Sequence, residues 1–145
     1  MSTTIRIMTI DDKEEIINMM RVFYTSPAVL SDGTEEIYAN DVDNCVGDCP
    51  FVEGYIFQDG ESIQGYGMVA KSFSTEFGKP CIWIEDLYVK DKYRGLGIGS
   101  KFLKFVEEKY LDAILRLEVE EDNATAIKVY QKCGFERLPY MEMKK

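Results

Sequence analysis

The segment Arg94-Gly95-Leu96-Gly97-Ile98-Gly99 constrains this chain more than any other. It follows CIWIEDLYV, an apolar run with strand character over residues 81–89. It precedes a stretch in which Ile98, Phe102, Phe105 or Val106, and Tyr110 recur at helical intervals. Three glycines at alternate positions cost backbone entropy that a plain turn does not require. They leave the backbone N–H groups of a helix start open to an anion, and the helix dipole and Arg94 add positive potential. A P-loop needs GxxxxGK[ST], whereas the lysine here follows Ser100 rather than a glycine. A dinucleotide fingerprint needs GxGxxG near the first strand of its domain. Here the spacing from Gly95 is GxGxG, two-thirds of the way along the chain, so Glu118 does not serve as a ribose acid. The segment therefore suits a phosphate compound of another kind.

The pattern around it alternates between two periods. Residues 4–8 read as a short strand with Ile5 and Ile7 on one side. Asp11 or Asp12 can cap a helix carrying Ile16, Ile17, Met20 and Phe23, with Glu14 and Glu15 at capping-box spacing. Thr25-Ser26-Pro27 interrupts it, and a second helix over 34–45 turns Ile37, Tyr38, Val42 and Cys45 inward. After Pro50 the period becomes 2. Strands over 51–58 and 63–73 flank the hairpin signal Asp59-Gly60, and the strand over 81–89 completes an antiparallel meander. Beyond the glycines come a helix, a strand over 114–120, a helix capped by Asn123 and ended by Gly134, and a last alternating strand over 140–144. The order β-α-α-β-β-β-α-β-α-β demands a crossover, and so a mixed sheet.

Bulk properties narrow the chemistry. A chain of 145 residues is one domain by size and large enough to fold without disulfides or a structural metal. A formal net charge of -9 repels phosphate backbones, so no nucleic-acid partner is expected. There is no histidine, which removes Ser-His-Asp, Cys-His and His-metal chemistry together. The 4 cysteines form no CxxC pair and read as free thiols of a reducing compartment, with no metal site. No stretch has the length of a membrane span and the start lacks a signal-type apolar region, so a cytoplasmic protein is expected.

Arg94, Gly97 and Gly99 match (Arg/Gln)-x-x-Gly-x-(Gly/Ala), and Asn123, Ala126, Tyr130 and the KCGF run at 132–135 follow in order. With these residues the chain resembles the GNAT superfamily of N-acetyltransferases over essentially its whole length. IEDLYVKDKYRGLGIGSKFL is similar to the diamine and polyamine branch in particular. The resemblance implies a single N-acetyltransferase domain over 1–145, of α/β (α+β) class. Its central mixed, mostly antiparallel sheet would be flanked by helices and splayed to form an acetyl-CoA cleft. It also implies acetyl-CoA as donor, with the pyrophosphate on the backbone of Arg94, Gly95, Leu96, Gly97, Ile98, Gly99 and Ser100. Pantetheine would pair with Leu87, Tyr88 and Val89 as an added strand, and Asn123, Ala126 and Tyr130 would line the CoA chain. Homodimers are common in the family.

Acetyl transfer to an amine needs a proton acceptor, an oxyanion donor and a proton donor to the leaving thiolate. Glu85, a carboxylate in an apolar strand, is the candidate general base, because desolvation raises such a pKa. Strict alternation sets its neighbour Asp86 on the opposite face. The family's bulge near this point would bring both to the cleft. For each, an edge carboxylate or satisfied ion pair is the structural alternative. The backbone N–H of Leu87 is the candidate oxyanion donor. Tyr130, two helical turns after Asn123, is the candidate general acid, with a core tyrosine as the alternative. Acceptor contacts fall to Phe23, Tyr24 and residues 26–30, together with Glu85 and Asp86. Polyamine members carry an acid in this loop where the chain has Phe23-Tyr24, so Glu35, Glu36 or Glu53 would have to substitute. A small amine, an amino acid and a peptide amine all remain open as acceptors. A noncatalytic acetyl-CoA-binding module is disfavoured by the presence of both Glu85 and Tyr130.

Overall fold

The computed structural model describes residues 2–30 and 32–145. In chain order the elements are β1 (Thr4–Ile7), α1 (Lys13–Phe23), α2 (Glu35–Val46), β2 (Val52–Asp59), β3 (Ser62–Ser74), β4 (Lys79–Val89), α3 (Ile98–Lys109), β5 (Ile114–Leu117) and α4 (Ala124–Lys132). The strands lie in sequence order across one sheet, β1-β2-β3-β4-β5. The first four are antiparallel neighbours. β5 lies parallel to β4 after the crossover through α3. The mixed sheet demanded by the hairpin signals and the later strand-helix alternation is thus present.

The two faces of the sheet bury separate cores. On one, Ile16, Met19 and Met20 of α1 and Tyr38, Val42 and Cys45 of α2 pack against Ile56, Tyr66, Met68 and Tyr88. On the other, Ile98, Phe102, Leu103 and Val106 of α3 pack against Tyr55, Phe57, Val69, Ile82 and Ile84. Each set has the spacing of its element, near 3.6 in the helices and 2 in the strands.

Several sequence expectations give way to tertiary context. Residues 140–144 form no strand. Met141 and Met143 are 85% and 86% exposed, so the alternation there has no buried face to serve. The strand expected over 114–120 ends at Leu117, where its pairing with β4 ends. Ile37 is exposed rather than inward. Asp12 holds the N-cap position of α1, but its carboxylate turns back. It accepts the Thr9 backbone N–H at 2.8 Å and takes the Arg6 guanidinium at 2.8 and 2.9 Å. The α2 cap is Thr34, whose hydroxyl accepts from the Ile37 N–H at 3.1 Å.

Candidate active site

The parallel pairing of β4 with β5 stops at Ile84↔Leu117, while β4 continues against β3 as far as Val89↔Gly65. Residues 85–89 therefore have a strand on one side only, among the described residues. The sheet opens there into a cleft between β4 and β5, a splay that sequence alone does not reveal. Leu87, Tyr88 and Val89 all lie on this open edge. Leu87 and Val89 pack towards the α3 core and Tyr88 towards the α1/α2 core.

The cleft begins at a bulge. Met68 pairs with Asp86 and Val69 with Ile84, which leaves Glu85 as the extra residue of β4. The slip reverses the alternation. Ile82 and Ile84 face α3, and so do Leu87 and Val89, whereas Asp86 and Tyr88 face α1 and α2. Glu85, next to Ile84, points away from α3 and shares its face with Asp86. The two adjacent carboxylates thus stand on one side of the sheet, yet in different surroundings. Glu85 is exposed; Asp86 is buried, with Tyr24 and Tyr66 each donating a hydroxyl hydrogen bond at 2.8 Å.

Electrostatics separates them further. Desolvation pushes the Glu85 carboxyl above the usual carboxylate range, and repulsion from Glu142 and Asp41 adds to this. Desolvation pushes Asp86 up to about 6 despite its two tyrosine hydrogen bonds, with Asp41 and Glu85 contributing repulsion. Glu118, just past the end of β5, is pushed up to about 7 by desolvation and by sharing a hydrogen bond with Glu142. The cleft is therefore rimmed by acids drawn from α2, β4, the end of β5 and the tail. Asp41, Glu118 and Glu142 went unrecognised as site residues in the sequence. Asp41 alone carried a signal there, as it lies one turn after Tyr38 on the inner face of α2. Of the proposed substitutes, Glu35 is paired with Arg21, and Glu53 lies by Tyr55, Tyr110 and Lys109 near the end of α3.

At the mouth of the cleft the glycine segment opens α3. Gly95 and Gly97 both have φ of +80°, and Gly97 occupies the N-cap without a side-chain cap. A β-carbon on Gly99, in the first turn, would meet only Leu87 Cδ2, at 3.8 Å. Nothing within the protein demands a glycine there, so the open space suits an approaching ligand. Ile98 is buried beneath the turn, Ser100 is half-buried and Leu96 is exposed. Arg94 donates from Nε to the Val89 carbonyl at 2.8 Å, meets Asp91 at 2.6 Å and lies 5.7 Å from the Tyr88 ring centre. It braces the segment against the end of β4. These free N–H groups, the left-handed glycines and the strand edge beside them fit a long phosphate-bearing chain such as CoA.

On the far side, Asn123 caps α4 by accepting the Ala126 N–H at 3.2 Å. Tyr130 packs against the α3 core, as do Leu87 and Leu117, with the Phe135 ring 6.1 Å away. Its hydroxyl has no hydrogen-bond partner among the described residues, and desolvation raises its pKa, so it stays protonated. Gly134, at φ +93°, ends the helix, and the Phe135 N–H returns to the Tyr130 carbonyl at 3.0 Å. Phe23 and Tyr24 sit together at the end of α1, their rings 5.3 Å apart.

The chain is similar to known proteins in sequence and in fold. The thialysine N-epsilon-acetyltransferase of Bos taurus is 43% identical over 86 residues, covering 57% of this chain and 50% of the relative. The spermine/spermidine N(1)-acetyltransferase of Bacillus subtilis is 32% identical over 59 residues, 38% of this chain and 39% of that protein. The chain spans about half the length, or less, of these curated relatives. Among solved structures, the aminoglycoside N-acetyltransferase AAC(6')-Iy in complex with CoA superposes with a TM-score of 0.81 at 14% identity. That match covers 99% of this chain and 94% of the other, a likeness of fold. The model of the acetyltransferase (GNAT) family matches residues 14–135, and the chain belongs to that family.

Proposed function

We propose that this protein is an acetyl-CoA-dependent N-acetyltransferase whose acceptor is the primary amine of a small cationic molecule, such as a diamine, polyamine or amino acid. The observation that carries the reading is the cleft opening at the Glu85 bulge, beside a glycine-lined helix start. Glu85 takes the proton from the attacking nitrogen, directly or through water. The Leu87 N–H faces the carbonyl oxygen as charge develops there. Tyr130 gives its proton to the departing sulfur, so that an N–C bond forms as the C–S bond breaks. The acidic rim of Asp41, Glu85, Glu118 and Glu142 favours a cationic acceptor over a neutral one. The names of the thialysine and spermine/spermidine relatives agree with this class. A cytoplasmic location and a homodimer complete the reading; fractionation and light scattering test them.

The direct test is thiol release from acetyl-CoA against a panel of polyamines, amino acids, aminoglycosides and peptides. Faster release with a small di- or polyamine supports the proposal. Acetyl-CoA binding without release by any amine marks a binding module instead, and turnover confined to peptides marks a peptide acetyltransferase.

A further inference from the structure

Asp86 is only 4% exposed, and both its oxygens are occupied. The Tyr24 hydroxyl donates to Oδ1 and the Tyr66 hydroxyl to Oδ2, each at 2.8 Å. Tyr66 is fully buried on β3. Tyr24 is the residue that ends α1, from which the 25–34 connection departs, and its ring packs against Phe23 and Tyr38. One carboxylate therefore ties together the strand carrying Glu85, its neighbouring strand and the last turn of α1.

An acid so enclosed, with almost no exposed surface, has little to offer an acceptor ammonium. We infer that Asp86 is a positioning residue rather than an acceptor ligand: through the Tyr24 hydroxyl it fastens the acceptor-side end of α1 to the bulge and sets where Glu85 stands. The role assigned to Glu85 rests on the acetyl-transfer reading; the clamp belongs to the free protein. Glu85 has no cross-strand partner at the bulge, so its placement depends on the neighbours that do. The groups acting on Asp86 are Asp41 of α2, Glu85 of its own strand, Tyr66 of β3 and Tyr24 of α1, with the Cys45 thiol of α2 nearby. The two hydroxyls hold its pKa down against desolvation and so favour the charged form. That charge disfavours the neighbouring Glu85 anion and makes Glu85 the better proton acceptor.

The test compares Tyr24→Phe, Asp86→Asn and the double variant in acetyl transfer to a monoamine and to a diamine of equal chain length. Phenylalanine keeps the ring. Asparagine can still accept from one tyrosine and donate to the other. Each single change should lower kcat roughly 10- to 100-fold. The double should be no worse than the worse single, the loss should be equal with both acceptors, and the acetyl-CoA KM should be unmoved. Losses that add, or that fall on the diamine KM, overturn the inference, because each side chain then touches the acceptor by itself. Carbon-13 carboxyl titration of the free protein reads the clamp without turnover. The Asp86 midpoint should rise by about one pH unit in Tyr24→Phe, with Glu85 shifting alongside. An unmoved Asp86 midpoint overturns the clamp whatever the activity. A wild type that acetylates no amine while this midpoint still moves defeats the acetyl-transfer reading and leaves the clamp standing.

Discussion

Gly99 offers a prediction in which stability and binding move in opposite directions. It is the second residue of α3, where an added β-carbon meets only Leu87 Cδ2 at 3.8 Å, an ordinary contact. Glycine costs a helix up to about 1 kcal/mol relative to alanine, and less in the first turn. Gly99→Ala should therefore stabilise the fold by a few tenths to about 1 kcal/mol, which raises Tm by roughly 1–4 °C. The same methyl stands where, on the proposed function, a pyrophosphate approaches the helix N–H groups. Acetyl-CoA should bind at least tenfold more weakly, about 1.4 kcal/mol, and weaker still to Gly99→Val. Gly97→Ala provides the contrast. Nothing lies within 4 Å of its added β-carbon, but its φ of +80° makes the cost conformational, about 1–2 kcal/mol, so stability and affinity fall together. Isothermal calorimetry and thermal melts on the three variants measure both quantities. A folded Gly99→Val protein with wild-type affinity would show that the pyrophosphate does not sit here. A lower Tm for Gly99→Ala would show that the glycine is required by packing, not by a ligand.

Other expectations follow from the groups of the cleft. Because desolvation, Glu142 and Asp41 raise the Glu85 carboxyl, the rate should climb with pH through a limb above the ordinary carboxylate range. Glu85→Gln should abolish that limb and spare acetyl-CoA affinity, and a wild-type profile in the variant would remove Glu85 from the mechanism. Tyr130→Phe should cost turnover about 10²- to 10⁴-fold where thiolate departure limits the rate. The defect should shrink with a thioester of more acidic thiol; an equal defect with both thioesters and a matching loss of affinity would reduce Tyr130 to positioning. Asp86 binds its proton more tightly when folded, at about 6, than unfolded, near 3.9. Stability should consequently fall as pH rises from about 4 to 6, by roughly 2–3 kcal/mol. Denaturant melts across that range should differ between wild type and Asp86→Asn by this amount, the slopes of Glu85 and Glu118 being common to both.

The local devices of this fold were legible in the sequence, and the long-range ones were not. Asn123 and Gly134 punctuate α4 as their chemistry dictates, and the Asp59-Gly60 turn joins β2 to β3. The tail over 140–144 misled because Met141 and Met143 alternate with Glu142 and Lys144 without burying a face. Strict alternation separated Glu85 from Asp86; the resemblance supplied the bulge, and the register of β3 against β4 locates it. The partners of Asp86 lie 62 and 20 residues away in sequence, beyond the reach of any periodic pattern. Glu142 was invisible for the same reason, and the position of Asp41 on the inner face of α2 did not reveal its target: only folding brings α2 and the tail towards β4.

The open stretch of β4 after Ile84 has a consequence for colloidal behaviour. An unpaired strand edge is a template on which another molecule can add a strand, and natural sheets protect such edges with charge. Here Glu85, Glu118 and Glu142 lie around it, so a second chain pressing onto the edge at neutral pH would have to strip water from several carboxylates. The acids suited to an amine thus double as gatekeepers against self-association. The raised protonation range of Glu85 and Glu118 means that mild acid neutralises these two while Asp12, held low by Arg6, is still charged. Acidification should accordingly provoke edge-to-edge aggregation before it loosens the core, and a bound ligand lying along residues 87–89 should suppress it.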